Sequence, residues 1–290
     1  MGFFDNFKAK FGSKRLNVDA RFELLQAAIS GTMSNVYKAK DRKTGEIVAL
    51  KILDKKKTED LELRFKGEKR EPEGAIAIKF DHPYIVKTIE HGVTTDGAQY
   101  LIMEYLRGTG LNNILVVKED FMAGARVHYL RQVAEALKEV HRQGYIHRDI
   151  CPRNLIFTGN GEVLKLTDFG LSVPARGAFL EPGNRTGTPN YMAPELVRRR
   201  ATDKRLDVFS FGVTAYELCT RELPWPRGNT GMAAMTHDQP PVPIQEYRPQ
   251  INARLARAIH ACIEPDLKRR CQDMEHFLVL LGHIQTEDEE

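Results

Sequence analysis

Apolar and polar positions along this chain follow two rhythms, and the change comes at Leu111. Before it, FELLQAAIS, NVYKAK and EIVALKIL read as short strands. DRKTGE separates the last two as a hairpin turn would. A charged, helix-favouring segment from Lys57 to Lys79 follows, and YIVKTIEHG and QYLIMEYL then read as two more strands. The pattern predicts a small sheet with one main helix. From Leu111 onward the period lengthens: in AGARVHYLRQVAEALKEVHRQG, Val127, Leu130, Ala134, Leu137 and Val140 recur at three and four, and Gly144 sits where a helix would stop. VLKLTDFG reads as a buried strand, DVFSFGVTAYELC and INARLARAIHACI as helices, and LPWPRGNTG and DQPPVPIQEYRPQ as loops. The expectation is an α+β protein of two lobes, β-rich in front and mainly helical behind, joined near LRGTG with a cleft at the join.

Composition narrows the function classes. At 290 residues there is chain for about two domains. The net charge of +4 is mixed rather than gathered on one run, which speaks against a nucleic-acid partner. Cys151, Cys219, Cys262 and Cys271 have neither C-x-x-C spacing nor a histidine cluster, so they read as reduced thiols of a cytoplasmic protein. No apolar run reaches the roughly 20 residues of a membrane span. MGFFDNFKAKFGSKR places Phe3, Phe4, Phe7 and Phe11 at helical spacing among Lys8, Lys10, Lys14 and Arg15. It reads either as a peripheral membrane or partner-docking helix or, more plainly, as a segment packing on its own domain. Gly2 begins a myristoylation pattern that Asn6 breaks. The acidic end TEDEE reads as a solvated tail.

The chemistry gathers in four short motifs. YIHRDICPRNLIF holds Asp149 and Asn154 five residues apart; TDFG, Thr167 to Gly170, and GTPNYMAPE, Gly187 to Glu195, follow, and VALK, Val48 to Lys51, precedes them. In this order they resemble the signature set of the eukaryotic-type protein kinases, V-A-I-K, H-R-D-L-x-x-x-N, D-F-G and A-P-E, over about residues 22 to 282. The resemblance implies a bilobal kinase fold: an extension at 1–21, a kinase domain at 22–282 with its N-lobe about 22–104 and C-lobe about 108–282, and the tail at 283–290. It implies ATP and Mg²⁺ as cofactors and a protein substrate. Lys51 would hold the phosphates, Asn154 and Asp168 the magnesium, and Asp149 would take or orient the hydroxyl proton. Val36, Ala49 and Ile156 would sandwich adenine, with Met103 behind it and Glu104, Tyr105 and Leu106 as the hinge. Asp207 resembles the aspartate that braces the catalytic loop, and Arg270 or Arg269 the arginine that pairs with Glu195.

Three departures qualify this. In the loop that would cover the phosphates, Ala28, Ile29, Gly31 and Ser34, only Gly31 keeps one of the family's three glycines. The glutamate expected to pair with Lys51 is Glu73, with Glu71 as the alternative, because Pro72 and Gly74 make the helix start late or kink. Two residues after Asp149, where Ser/Thr members usually have lysine, stands Cys151; Arg153 stands where tyrosine-directed members place an arginine, and would supply the cation instead. Thr188 favours Ser/Thr specificity. The usual activating phosphosite position holds Asn184, leaving Thr186 and Ser172 as candidates and an enzyme expected to work without phosphate at that position. The rival expectation is a pseudokinase, a nucleotide-binding scaffold favoured by the same departures.

Overall fold

The computed structural model describes residues 15–26, 29–31, 33–64, 68–117, 120–183, 185–225 and 233–288. They form two compact units, the first drawn from Met1–Arg64, Glu71–Asp81 and Val86–Leu106, the second from Phe65–Arg70, His82–Ile85 and Arg107–Glu290.

The first unit is built on one antiparallel sheet. Helix α1 (Val18–Arg21), capped by the Asn17 side chain, leads into β1 (Phe22–Leu24), β2 (Ile29–Ser30), β3 (Ser34–Asp41), β4 (Ile47–Leu53), β5 (Thr88–Val93) and β6 (Gln99–Glu104). Strand order is β1-β3-β4-β6-β5, with β2 paired to β3. Alternation along β4 sends Val48 and Leu50 into a core with Leu16, Phe22, Ala39, Tyr100 and Ile102. Leu16 therefore belongs with the sheet, and its backbone pairs beside Thr94. Arg21 is tied there too, reaching Asp41 at 2.9 Å and Glu90 at 2.7 Å.

The single helix expected over Lys57 to Lys79 is instead two short ones, α2 (Lys55–Glu62), capped by Asp54, and α3 (Glu73–Ala77). Proline explains where the second begins. Pro72 stands at the N-cap of α3, where its missing N–H costs nothing, and so sets the start of that helix, while α2 has already ended at Glu62. Gly74 has a different reason: a Cβ there would lie 2.4 Å from the Cβ of His91, so only glycine lets α3 lie against β5.

The second unit is mainly helical. Its α4 (Leu111–Leu115), α5 (Arg126–Arg142), β7 (Tyr145–Ile146), β8 (Leu155–Thr158), β9 (Val163–Leu166), β10 (Val173–Pro174), α6 (Pro194–Val197), α7 (Arg205–Thr220), α8 (Ile244–Tyr247), α9 (Ala253–Cys262) and α10 (Met274–Leu281) follow in chain order. The five periodic apolar residues of α5 are all buried, and the helix stops before Gly144, whose φ is +80°. Helix α7 is buried from Leu206 to Cys219, which makes it the axis of the unit. The stretch DQPPVPIQEYRPQ is not all loop, since α8 lies within it.

The acidic end corrects an expectation. Glu287 is not solvated: it is 1% exposed. It accepts hydrogen bonds from Arg126 Nη1 (2.7 Å), Arg248 Nη2 (3.2 Å) and the Gly124 N–H (2.8 Å), and Asp288 pairs with Arg248 at 2.6 Å. The cause is electrostatic. Arg126 is 2% exposed, and a cation so placed is costly unless carboxylates are buried with it.

Candidate active site

In the first unit the sheet register does the positioning. Val36 lies opposite Lys51, Lys51 opposite Leu101, and Ala49 opposite Met103. Cross-strand partners point to the same side, so Val36, Ala49, Lys51 and Met103 share one face, the one turned away from the Leu16 core. On that face the Lys51 Nζ meets Glu73 Oε1 at 2.6 Å, with both side chains buried. Glu71, the alternative partner, is half exposed and reaches Lys79 at 2.6 Å. Glu104 accepts from the Lys87 N–H at 2.8 Å, the Tyr105 ring lies 4.9 Å from Lys38 Nζ, and Leu106 is half-buried.

The β2–β3 turn shows how two glycines can be dispensed with. Ile29 pairs with Val36 and Ser34 with Leu53, so both positions are strand backbone that any residue accepts. Gly31 donates its N–H to the Ser34 carbonyl at 2.8 Å and closes the turn. Ala28 lies outside the described residues, as do Asn184 and the phenylalanines at 3, 4, 7 and 11.

In the second unit the loop after β7 carries a dense polar cluster. Asp149 Oδ1 accepts from the Thr188 N–H (2.9 Å) and hydroxyl (2.7 Å); Oδ2 accepts from Asn154 Nδ2 (2.9 Å) and Arg153 Nη2 (3.3 Å). Arg153 Nη2 also donates to Thr188 Oγ1 at 2.9 Å. Asn154 Nδ2 gives a second bond to the Asp149 carbonyl, at 2.8 Å. With its nitrogen so committed, the amide presents Oδ1 as an acceptor. Cys151 is buried, and burial, helped by Asp149, pushes its thiol up to about 12. It carries no charge at neutral pH.

The loop is braced from beneath. Asp207, fully buried on α7, accepts from the backbone N–H of His147 (2.7 Å) and Arg148 (2.8 Å) and meets His141 Nε2 at 2.9 Å. That bracing holds Arg148 at φ +70°, a conformation non-glycine residues rarely keep without support. Asp168 also has positive φ, +64°, and its Oδ1 accepts from the Gly170 N–H at 3.1 Å. Ile156 is half-buried on β8, opposite Lys165. Arg270 forks onto Glu195 at 2.8 and 3.0 Å, whereas Arg269 is exposed and 3.5 Å from Glu264. Ser172 is wholly buried with its hydroxyl on the His147 carbonyl, which leaves it unpresented to a modifying enzyme; Thr186 is buried as well.

The donor set fits magnesium. A carboxylate and an amide oxygen, from Asp168 and Asn154, are hard ligands, and Mg²⁺ commonly takes one or two protein oxygens, filling its remaining positions with water and phosphate. Among the described residues no group of three or more His, Cys, Asp or Glu that could hold a metal ion occurs.

The sequence matches the family described as Protein kinase domain over residues 23–278. The chain belongs to the protein kinase family. Its kinase fold is the α+β architecture described above. Among curated relatives, it is similar to a probable serine/threonine-protein kinase of Clostridium perfringens, 33% identical over 271 residues, which cover 92% of this chain and 38% of that protein. A probable serine/threonine-protein kinase of Clostridium acetobutylicum is 30% identical, with 92% and 40% covered. Ribosomal protein S6 kinase alpha-2 of Homo sapiens is 35% identical over 209 residues, covering 71% of this kinase chain and 28% of the human protein. The chain thus spans about two fifths of the length of the clostridial relatives. No helix among the described residues is long and apolar enough to cross a membrane.

One residue of this kinase that the sequence did not single out is Arg70. It is buried and donates to the carbonyls of Phe169, Gly170 and Ser172. In the sequence it is one cation in a charged run, and no spacing sets it apart.

Proposed function

We propose that the chain transfers the γ-phosphoryl group of Mg-ATP to serine or threonine hydroxyls of proteins. The observation that carries this reading is the Asp149 carboxylate, oriented by Thr188, Asn154 and Arg153 so that both oxygens are aimed. Asp149 would accept the proton of the attacking hydroxyl as its oxygen bonds to the γ-phosphorus and ADP leaves with the bridging oxygen. Lys51, held by Glu73, would meet phosphate oxygens, and Asp168 and Asn154 would hold Mg²⁺, which when bound neutralises charge on the phosphates. Adenine would lie on Val36, Ala49, Met103 and Ile156, with the backbone of Glu104 to Leu106 at its edge, and Ala28, Ile29, Gly31 and Ser34 would cover the phosphates. Arg153 would supply the cation that residue 151 lacks. The names of the relatives support Ser/Thr as the acceptor class, and no finding favours the nucleotide-binding scaffold.

The test is peptide mass spectrometry after incubation with Mg-ATP and a general acceptor protein, with Asp149→Asn alongside. Phosphate on serine or threonine is expected with wild type, and at least about a hundredfold less with the variant. Equal labelling by both proteins would overturn the assignment. We further propose a cytoplasmic protein whose first residues, outside the described part, dock on a membrane surface or a partner. Co-sedimentation with liposomes, compared with a chain starting at Asn17, tests the membrane arm.

A further inference from the structure

The backbone after Asp168 poses a satisfaction problem that Arg70 solves. The turn Asp168-Phe169-Gly170 leaves the ladder of β9, so its carbonyls find their partners outside that ladder. Arg70, 4% exposed, provides them: Nε to the Ser172 oxygen at 2.8 Å, Nη2 to Gly170 at 2.6 Å and to Phe169 at 3.2 Å. A planar guanidinium can span three carbonyls in one fixed geometry, which an ammonium cannot. The same turn is tied at two further points. The Ser172 N–H donates to the Phe169 oxygen at 3.0 Å, and the Phe169 ring packs edge-on against His147 at 5.1 Å. Asp168 itself sits at φ +64°, a conformation that persists only when its surroundings hold it.

We infer that Arg70 is a positioning residue for Asp168: its guanidinium fixes the Asp168–Ser172 backbone and thereby aims the carboxylate assigned to magnesium. This rests on the kinase reading for the metal, while the hold on the turn stands on the hydrogen bonds alone. A buried arginine that merely stabilised the unit would lower stability when removed but would not act selectively on metal-dependent binding.

The experiment uses the full chain with Arg70→Met and Arg70→Lys. ADP affinity is measured by calorimetry with and without Mg²⁺, and hydrogen exchange is followed without nucleotide. Removing Arg70 is expected to weaken Mg-ADP binding about tenfold while metal-free ADP binding stays within about twofold, with the lysine variant in between. Exchange at Phe169–Ser172 should rise in Arg70→Met with α5 and α7 unchanged. Equal weakening with and without Mg²⁺, unchanged exchange in the turn, or a rise spread across α5 and α7 would each overturn the inference. Wild type that binds ADP no better with Mg²⁺ would instead sink the kinase reading, and exchange alone would then decide the hold on the turn.

Discussion

Thr188 has one proton and several neighbours that want it. Its hydroxyl lies 2.7 Å from Asp149 Oδ1 and 3.7 Å from Cys151 Sγ, so the proton goes to the carboxylate and the thiol is left a packing neighbour. Arg153 then completes the circuit, touching both Thr188 and Asp149. Its side chain is 59% exposed, so its contribution is moderated by solvent. Arg153→Ala should lower kcat by about tenfold with little change in KM for ATP, and Arg153→Lys should recover part of it. Steady-state kinetics at saturating ATP decides this; a wild-type rate in the alanine variant would show that the loop needs no cation there. Asp149, Cys151 and Arg153 were legible because they lie within one short stretch, and Thr188 because its own motif follows that stretch in the expected order. Arg70 was not, because what distinguishes it is contact with carbonyls about a hundred residues away, and backbone acceptors have no letter in a sequence.

At the scale of elements, local pattern was informative wherever one apolar face met one neighbour. Helix α5 is such a case, its three-and-four spacing mapping onto a buried stripe. The segment after β4 is the opposite case, where high helix propensity from Lys57 to Lys79 yields two short helices, the second starting only after Pro72. The late start of α3 has a benefit for the ion pair, since it puts Glu73 in the first turn, where the helix dipole favours a carboxylate. The two candidate glutamates should therefore behave differently on mutation. Glu73→Gln takes the carboxylate from a lysine side chain 6% exposed and should cost about 2–3 kcal/mol in urea unfolding. Glu71→Gln, in a half-exposed pair with Lys79, should stay within about 0.5 kcal/mol. Equal losses would mean that burial of the pair is not what counts.

Over the whole molecule, partly buried cations are paired with carboxylates distant in sequence. Arg21 on Glu90 and Asp41 is one knot, and Arg248 on Asp288 and Glu287 another. The bond to Arg21 holds Glu90 low; at Asp41 burial pulls upward as the largest single influence, but the Arg21 bond and the Lys43 N–H together carry it low, and the bond to Arg248 holds Asp288 low against burial. A carboxyl whose folded pKa is depressed stabilises above its unfolded value and loses that contribution as pH falls through the folded one. The urea midpoint should thus be flat above about pH 5 and fall steeply below about pH 4, and Arg21→Met or Arg248→Met should each flatten the fall. An unchanged slope in both variants would remove these knots from the account of acid stability. Such pairings are what a linear reading misses, since TEDEE looks like any solvated tail until Arg126 is found buried opposite Glu287. The thiols carry a different consequence. Cys151, Cys219, Cys262 and Cys271 are each at most 3% exposed, and they are spread from the loop after β7 to the approach to α10. An alkylating reagent meets none of them in the closed protein, so the rate at which each is labelled becomes a clock for the opening of its own neighbourhood, four sulfur gauges already built into one unit.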